Sequence, residues 1–294
     1  NSLFIVKIIQ NNITIGFFPL YNDKTNTLRF INDVHSDFCD IILDKEIDLN
    51  NLLQFIFKNC DQKKIQLINL KENSILTQFY PSNKQYNLIS YVSEKYTDFE
   101  VNIGLFPDNC DKLLCKERGE IRRIVKKNLN CKHYVLSKIN SDFPIDEILK
   151  LRQKMIDNGS RNNEFMTINQ LKLIEKLYNF HYIEISYVKD SEVRAILFVM
   201  KNKNYSLFWI DLYDNLRYTS TLNNYISYIA VKSLKDKVCI NLGRGAYNWK
   251  IAKFRPNIYK LYTVNIFSSK LLKINYIIKN YIIGMMKLFY RKFK

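Results

Sequence analysis

The second half of the chain alternates between two hydrophobic periods, and this order of elements limits the folds open to it. Runs rich in Val, Ile, Tyr and Phe predict strands, and apolar residues three or four apart predict helices. The predicted order is strand (133–137), helix (145–157), helix (167–179), strands (181–188, 192–201, 204–213), helix (220–234), strand (237–241), helix (246–252) and strand (258–266). This order predicts one α/β (α+β) unit with a mixed, mostly antiparallel sheet flanked by helices.

The first half begins with strands and then mixes both element types. Residues 3–9 and 13–19 are β-rich runs joined by Asn11-Asn12, a two-residue hairpin signal. Asp48 is placed to cap a helix that ends near residue 58. Short strands at 27–31, 38–43, 65–70 and 86–92 and a helix near 74–80 complete the half.

A length of 294 residues favours two domains. We predict an N-terminal lobe (1–106), a connecting basic helix (107–130), a C-terminal lobe (131–266) and a basic amphipathic tail (267–294). Because the chain starts at Asn1 rather than Met, we expect residues upstream of it.

The composition excludes several classes of protein. A hydrophobic share of 47% is too high for a disordered chain. The six cysteines form no CxxC pair and the three histidines are scattered, so we expect free thiols and no metal. The sequence contains no run of 18 consecutive apolar residues, so it predicts no membrane-spanning helix.

The net charge of +17 is concentrated near one end of the sequence. After Asp236 there are thirteen basic residues and no acidic one, which leaves 32 basic and 28 acidic residues in the first 236. Within 267–294, apolar clusters alternate with lysines, as in helices that bind an anionic membrane surface. A helix packed along its own domain with a solvated basic face is the alternative. No nucleic-acid-binding motif is recognisable.

Three segments carry a resemblance to a known family. Asn241–Lys250 resembles the "fD-x-x-rG-x-x-x-YK" signature of GNAT acyltransferases associated with cellulose and other polysaccharide biosynthesis, relatives of FemAB-type transferases. The helix around Arg118, Arg122 and Arg123 resembles a second segment of that family, and the opening from Ile5 through Pro19 to Asp40 a third. In this chain, Asn241 stands where the signature has an acidic residue, and Thr219-Ser220-Thr221 where the family often has a glycine.

This resemblance implies two GNAT-like lobes and a direct acyl transfer. The donor would be acyl-CoA (acetyl-CoA) as co-substrate, and the acceptor an amine or hydroxyl of a sugar or cell-envelope precursor. The alternatives are a FemAB-like transferase that uses aminoacyl-tRNA, the one case in which nucleic acid is expected, and a non-catalytic membrane-associated module of a polysaccharide-synthesis system. A cytoplasmic protein, peripheral at the inner face of the membrane, would fit each of these.

The segment before the helix at 220–234 is the predicted cofactor site. Arg217 could contact a pyrophosphate, while Thr219, Ser220 and Thr221 offer hydroxyls at a helix N-terminus, where free N–H groups favour anions. Capping of the helix by Thr219 or Ser220 is the structural alternative.

The predicted catalytic residues are Asp211 and Tyr247. Asp211 ends an aromatic strand, where desolvation would raise its pKa and suit a general base; a turn-forming carboxylate with Asp214 is the alternative. Tyr213 is a candidate for substrate contact. After the Gly243-Arg244-Gly245 turn, Tyr247 could protonate a leaving thiolate, and Arg244 or Lys250 could hold an anionic group; a surface turn with a solvated helix face is the alternative.

Overall fold

The computed structural model describes residues 2–33, 36–82, 87–100, 115–128, 130–202, 205–214, 221–234 and 239–292. Its strands are β1 (Ser2–Gln10), β2 (Ile13–Asn22), β3 (Leu28–Phe30), β4 (Ile42–Leu43), β5 (Lys64–Lys71), β6 (Asn87–Glu100), β7 (Lys132–Leu136), β8 (Ile183–Lys189), β9 (Val193–Asn202), β10 (Tyr205–Tyr213), β11 (Cys239–Arg244) and β12 (Asn257–Phe267). Its helices are α1 (Leu49–Asn59), α2 (Ile75–Ser82), α3 (Cys115–Lys127), α4 (Ile145–Asp157), α5 (Ile168–Asn179), α6 (Thr221–Ser233), α7 (Asn248–Phe254) and α8 (Lys270–Lys292).

The chain divides into two compact units. Unit 1 comprises Asn1–Lys95 and Tyr259–Lys294, and unit 2 comprises Tyr96–Ile258. The sequence places residues 258–266 in the second lobe, whereas the structure pairs β12 with β5 in unit 1. The sequence also starts a connecting segment at 107, but α3, which lies within that segment, contributes Ile124 to a hydrophobic core of unit 2. Periodicity along the chain identifies strands but not their pairing partners, and the partners determine these boundaries.

Unit 1 is a mostly antiparallel sheet in the order β1-β2-β3-β5-β12, with β4 also pairing with β2. The pair β3–β5 is parallel and the others are antiparallel. The predicted hairpin is confirmed: Asn11 and Asn12 have φ angles of 51° and 62°, the left-handed values that a tight type I′ turn needs. The predicted cap is confirmed as well, since the Asp48 side chain accepts from the backbone N–H groups of Asn50 and Asn51.

Unit 2 is a sheet with helices on both faces. Its strand order is β11-β10-β9-β8-β7, and the end of β6, Tyr96–Glu100, pairs with β11. On one face, Ile148 of α4 and Ile174 of α5 pack with Phe198 and Leu212. On the other, Ile226 of α6 packs with residues of α3, α7 and the sheet. Because β8 and β9 are buried on both faces, β9 is an almost continuous apolar run rather than an alternating one.

The fold-class prediction is therefore confirmed: the chain is mixed α+β, with mostly antiparallel sheets flanked by helices and a C-terminal helix, α8. Among the described helices, none combines the length and the apolar content needed to span a membrane.

Candidate functional site

Two parallel strands of unit 2 begin side by side and then separate. The pairing of β10 with β11 covers three residues, from Tyr205–Cys239 to Leu207–Asn241. Directly after this stretch, the register between β10 and β9 shifts between Phe208 and Ile210, so that Trp209 forms a bulge. A bulge bends its strand and increases the local twist. The remaining residues of β10 therefore continue beside a gap in the parallel pairing rather than beside β11.

Asp211 lies on this separated part of β10. It pairs with Leu197 of β9 and is half-buried. Burial raises the pKa of the Asp211 carboxyl above its ordinary value, although Arg161 and Lys250 act in the opposite direction by favouring the charged form. A carboxyl with a raised pKa beside a strand gap can accept and release a proton at a pH nearer to neutrality.

Tyr213 and Arg161 accompany Asp211. Burial raises the pKa of the Tyr213 hydroxyl, the Asp211 charge raises it further, and Arg161 and a hydrogen bond with the Asn223 side chain lower it. Arg161 belongs to the loop between α4 and α5, and its guanidinium lies 4.9 Å from the centre of the Phe165 ring. The sequence analysis did not single out Arg161. The polar run from Asn158 to Glu164, between two predicted helices, is the feature that could have drawn attention to it.

The turn after β11 is built around Asn241 and two glycines. Asn241 is fully buried, and its Oδ1 accepts from the backbone N–H of Gly243 at 2.8 Å. Gly243 and Gly245 have φ angles of 75° and 84°, which L side chains rarely adopt. At Gly245 a Cβ atom would also overlap the Tyr247 ring. Asn241 thus gives the turn its shape in place of the acidic residue of the signature.

Lys250 is directed into this turn. It is 6% exposed, and its Nζ donates to the carbonyl oxygens of Leu242 at 2.6 Å and Arg244 at 2.8 Å. Tyr247 precedes α7 at the N-cap position, is 58% exposed, and has its ring centre 5.2 Å from the same Nζ. Lys250 therefore fixes the backbone beneath Tyr247, and its role in substrate binding stays a prediction.

A buried ion-pair network holds the far end of β10. Arg194 of β9 is 2% exposed, and its Nε donates to both carboxylate oxygens of Asp190 at 2.9 Å. Its Nη1 lies 3.3 Å from Oδ2 of the buried Asp214, which also accepts from Lys154 of α4 at 3.1 Å. Burial alone would raise the pKa of Asp190, but Arg194 and nearby donors hold it at about 2. The network fixes Asp214, the residue directly after β10.

The predicted site residues are thus brought together only in part. Asp211 and Tyr213 share the separated part of β10, and Lys250 links Asp211 to the turn that carries Tyr247. Arg244 is the last residue of β11 and is half-buried. Arg217, Thr219 and Ser220 lie outside the described residues, and Thr221 is the first residue of α6. Within the described ranges, no three His, Cys, Asp or Glu residues are grouped as a metal site would require.

Known structures resemble this chain in fold. L-PGS from Bacillus licheniformis superposes with a TM-score of 0.63 at 10% identity, covering 92% of this chain and 86% of that one. FemX superposes with a TM-score of 0.57 at 10% identity, covering 93% and 90%. A conserved protein of unknown function from Bacteroides thetaiotaomicron VPI-5482 superposes with a TM-score of 0.60 at 12% identity, covering 86% and 83%.

No protein-family model matches the sequence, and neither does any curated protein sequence. The likeness to L-PGS and FemX extends over nearly the whole chain, but at 10% identity it is a likeness of fold. The resemblance to the polysaccharide-associated branch stays a prediction. In fold, the chain is therefore similar to L-PGS and FemX.

Proposed function

We propose that this chain is an acyltransferase that moves an acyl group directly from acyl-CoA to an amine or hydroxyl of a sugar or cell-envelope precursor. The observation that carries the proposal is the separation of β10 from β11 directly before Asp211. A gap between parallel strands admits an extended chain, such as the arm of a thioester donor. Main-chain groups of β10 beside that gap are the candidates to hold the donor and its developing oxyanion.

Asp211 is the proposed general base. In this step, the acceptor oxygen or nitrogen attacks the thioester carbonyl carbon, and its proton passes to the Asp211 carboxylate. The tetrahedral intermediate then collapses, the C–S bond breaks, and the leaving thiolate takes a proton from the Tyr247 hydroxyl. The raised pKa of Asp211 supports its part, because general bases are most effective with a pKa near the working pH.

Tyr213 and Arg161 are proposed to position the acceptor, since both are electrostatically coupled to Asp211. Arg161 would interact with an anionic group of the acceptor, which agrees with a phosphate-bearing precursor. The donor phosphates are assigned to the segment from Arg217 through Thr219 and Ser220 to Thr221. This assignment rests on the position of that segment before the N-terminus of α6, where helix N–H groups favour anions.

A second candidate is aminoacyl transfer from a charged tRNA. The likeness in fold to FemX and L-PGS over more than 90% of the chain favours it, together with the FemAB-type resemblance of the sequence. In this second candidate reaction, the Asp211 carboxylate would again take the proton of the attacking amine or hydroxyl. An aminoacyl ester would replace the thioester as the donor.

Isothermal titration with acetyl-CoA, longer acyl-CoAs and free CoA tests the proposed donor. We expect binding of at least one acyl-CoA and weaker binding of free CoA, because the acyl group would occupy the strand gap. Absence of binding to every acyl-CoA, with transfer from charged tRNA, would replace the first candidate by the second. Absence of binding and of transfer with both donors would leave the non-catalytic module.

A further inference from the structure

Helix α8 is the last element of unit 1 and contacts the sheet of that unit near its start. The Tyr276 ring packs on Phe267, the last residue of β12, with 5.2 Å between ring centres. The Lys64 Nζ of β5 lies 4.4 Å from the centre of the same ring. Within the described residues, the hydrophobic core of unit 1 contains no side chain of α8. Tyr276 thus joins the first two turns of α8 to the sheet.

Helix α8 exposes apolar side chains both before and after Tyr276. Six of them are between 63% and 76% exposed: Leu271 near the start, then Tyr281, Met286, Leu288, Phe289 and Tyr290. Such a concentration of exposed apolar side chains on one element of a chain indicates a surface that binds something apolar. At 23 residues and about 1.5 Å per residue, α8 is about 35 Å long.

The charges on α8 are of one sign. Its sequence contains six basic residues and no acidic one. The positions of Lys273, Lys287 and Arg291 share one face of the helix, those of Ile274, Ile278 and Met285 share a different, apolar face, and Lys279 lies between the two. The helix therefore presents basic groups beside a broad apolar face, which is the arrangement of helices that lie in a membrane interface.

The charge pattern distinguishes between the partners that could cover the exposed face of α8. Two copies of α8 packed together would bring lysines near lysines without any carboxylate to pair with them, which is unfavourable. A nucleic acid would neutralise the lysines, but it would leave the apolar face in water. An anionic lipid surface offers negative head groups for the lysines and acyl chains for the apolar face at the same time.

We propose that α8 binds an anionic membrane, lying in the plane of the interface with its Ile278 and Met285 face in the acyl-chain boundary and its lysines at the head groups. Tyr276 joins the embedded helix to the sheet of unit 1 through Phe267 and Lys64. This binding site is independent of the transfer reaction proposed above, so either proposal can fail without the other.

Flotation with lipid vesicles tests the proposal on the full chain. The vesicles are phosphatidylcholine alone and phosphatidylcholine mixed with phosphatidylglycerol. We expect the wild-type chain to float with the anionic vesicles and to bind the neutral ones at least about tenfold more weakly, with the difference shrinking as salt is added. Equal binding to both vesicles, or binding to neither, would overturn the proposal.

Matched variants locate the site. Lys279 and Lys287 are exposed on α8, and Lys45 and Lys58 are exposed elsewhere in unit 1. The double variant Lys279→Glu/Lys287→Glu should lower the affinity for anionic vesicles by about 30-fold or more, since each basic residue near the surface contributes roughly fivefold. Lys45→Glu/Lys58→Glu carries the same change in net charge and should retain nearly the wild-type affinity. An equal loss in both double variants would show that net charge, not α8, drives the binding.

A second pair of measurements tests the role of the apolar face and the two alternative partners, a second copy of α8 and a nucleic acid. Ile278→Gln/Ile282→Gln should weaken binding to anionic vesicles while leaving the Tm unchanged, because both side chains are exposed. Light scattering without lipid should show no dimer that depends on these residues. A dimer that the Ile278→Gln/Ile282→Gln variant abolishes, or tRNA binding that Lys279→Glu/Lys287→Glu abolishes while vesicle binding persists, would overturn the assignment.

Discussion

At the scale of the residue, Asp211 carries the proposed chemistry. A carboxylate at the end of an aromatic strand is recognisable in the sequence, and so is its tendency to be desolvated. Its partners are not recognisable, because Arg161 comes from a loop fifty residues earlier and Lys250 from a helix after the next strand. Their electrostatic influence on Asp211 depends on how the loop and the helix pack against the sheet.

The substitution Asp211→Asn should remove the proton acceptor while preserving shape. We expect kcat to fall by about 100-fold to 10,000-fold, the usual contribution of a general base, with KM for the donor nearly unchanged. The wild-type rate should decline as the pH falls through the raised pKa of Asp211, and the residual rate of the variant should lack this dependence. Asp142→Asn, at an exposed surface carboxylate, is the control. A variant with wild-type kcat would contradict the role of Asp211.

The sequence pattern marks Lys250 as important but does not indicate which contacts its side chain makes. Lys250 stands at the lysine of the Asn241–Lys250 signature, but only the structure shows its Nζ directed at backbone carbonyls. Lys250→Met should lower the free energy of unfolding by about 2 kcal/mol or more, because buried carbonyl oxygens lose their donor. Lys260→Met, at an exposed position of β12, should cost far less. Thermal unfolding measures both, and an unchanged Tm with a raised KM would indicate that Lys250 serves the substrate instead.

At the scale of the element, local signals predicted local structure well. The turn Asn11-Asn12, the cap Asp48 and the helix 145–157 all depend on residues within a few positions of one another, and all three are observed. The short strand β4 shows the limit: the apolar run 38–43 predicts a longer strand, but only Ile42 and Leu43 pair with β2. Pairing depends on a partner strand that local sequence does not specify.

The ion-pair network around Arg194 also joins distant elements, α4, β9 and the end of β10. Removing the guanidinium takes a cationic partner from the buried Asp214 and from Asp190. Arg194→Met should therefore reduce the free energy of unfolding by about 3–5 kcal/mol. Lys138→Met breaks an exposed pair with Asp142 and should cost under about 1 kcal/mol. Denaturant titration measures both, and equal small losses would contradict the structural importance of the network.

At the scale of the whole molecule, stability should depend on pH through His133. The His133 Nε2 lies 2.6 Å from the Ser186 Oγ of the neighbouring strand, and burial lowers the pKa of the imidazole from 6.5 to about 4. Between these two values, the unfolded chain takes up a proton that the folded chain does not. The free energy of unfolding should therefore decrease as the pH falls from about 6.5 to 4, by up to about 3 kcal/mol.

The variant His133→Gln should flatten this part of the stability curve, since glutamine does not titrate. Urea unfolding compares the two chains at about pH 7, above the window, and at about pH 5.5 and 4.5, within it. Asp190, whose pKa is about 2, affects the free energy of unfolding at lower pH. The His133→Gln substitution should leave that contribution unchanged. Parallel stability curves for both chains across this window would show that His133 is not the source of the dependence.

The distribution of charge connects the whole molecule to its surroundings. The excess of basic residues follows Asp236, and the structure assigns much of it to α8, whose apolar side chains are exposed. Sequence alone identified a basic amphipathic segment, but two arrangements of that segment remained open. Its contact with unit 1 through Tyr276 is a matter of tertiary packing that helical periodicity does not predict.

An acyl donor is proposed to enter unit 2 where β10 separates from β11. Hydrogen–deuterium exchange with and without the acyl-CoA that binds best in titration tests this location directly. We predict slower exchange of the backbone amides of β10 from Trp209 to Tyr213 and of the turn after Asn241, with little change in β1 and β2 of unit 1. Binding of the acyl-CoA without protection of these β10 amides would contradict the account.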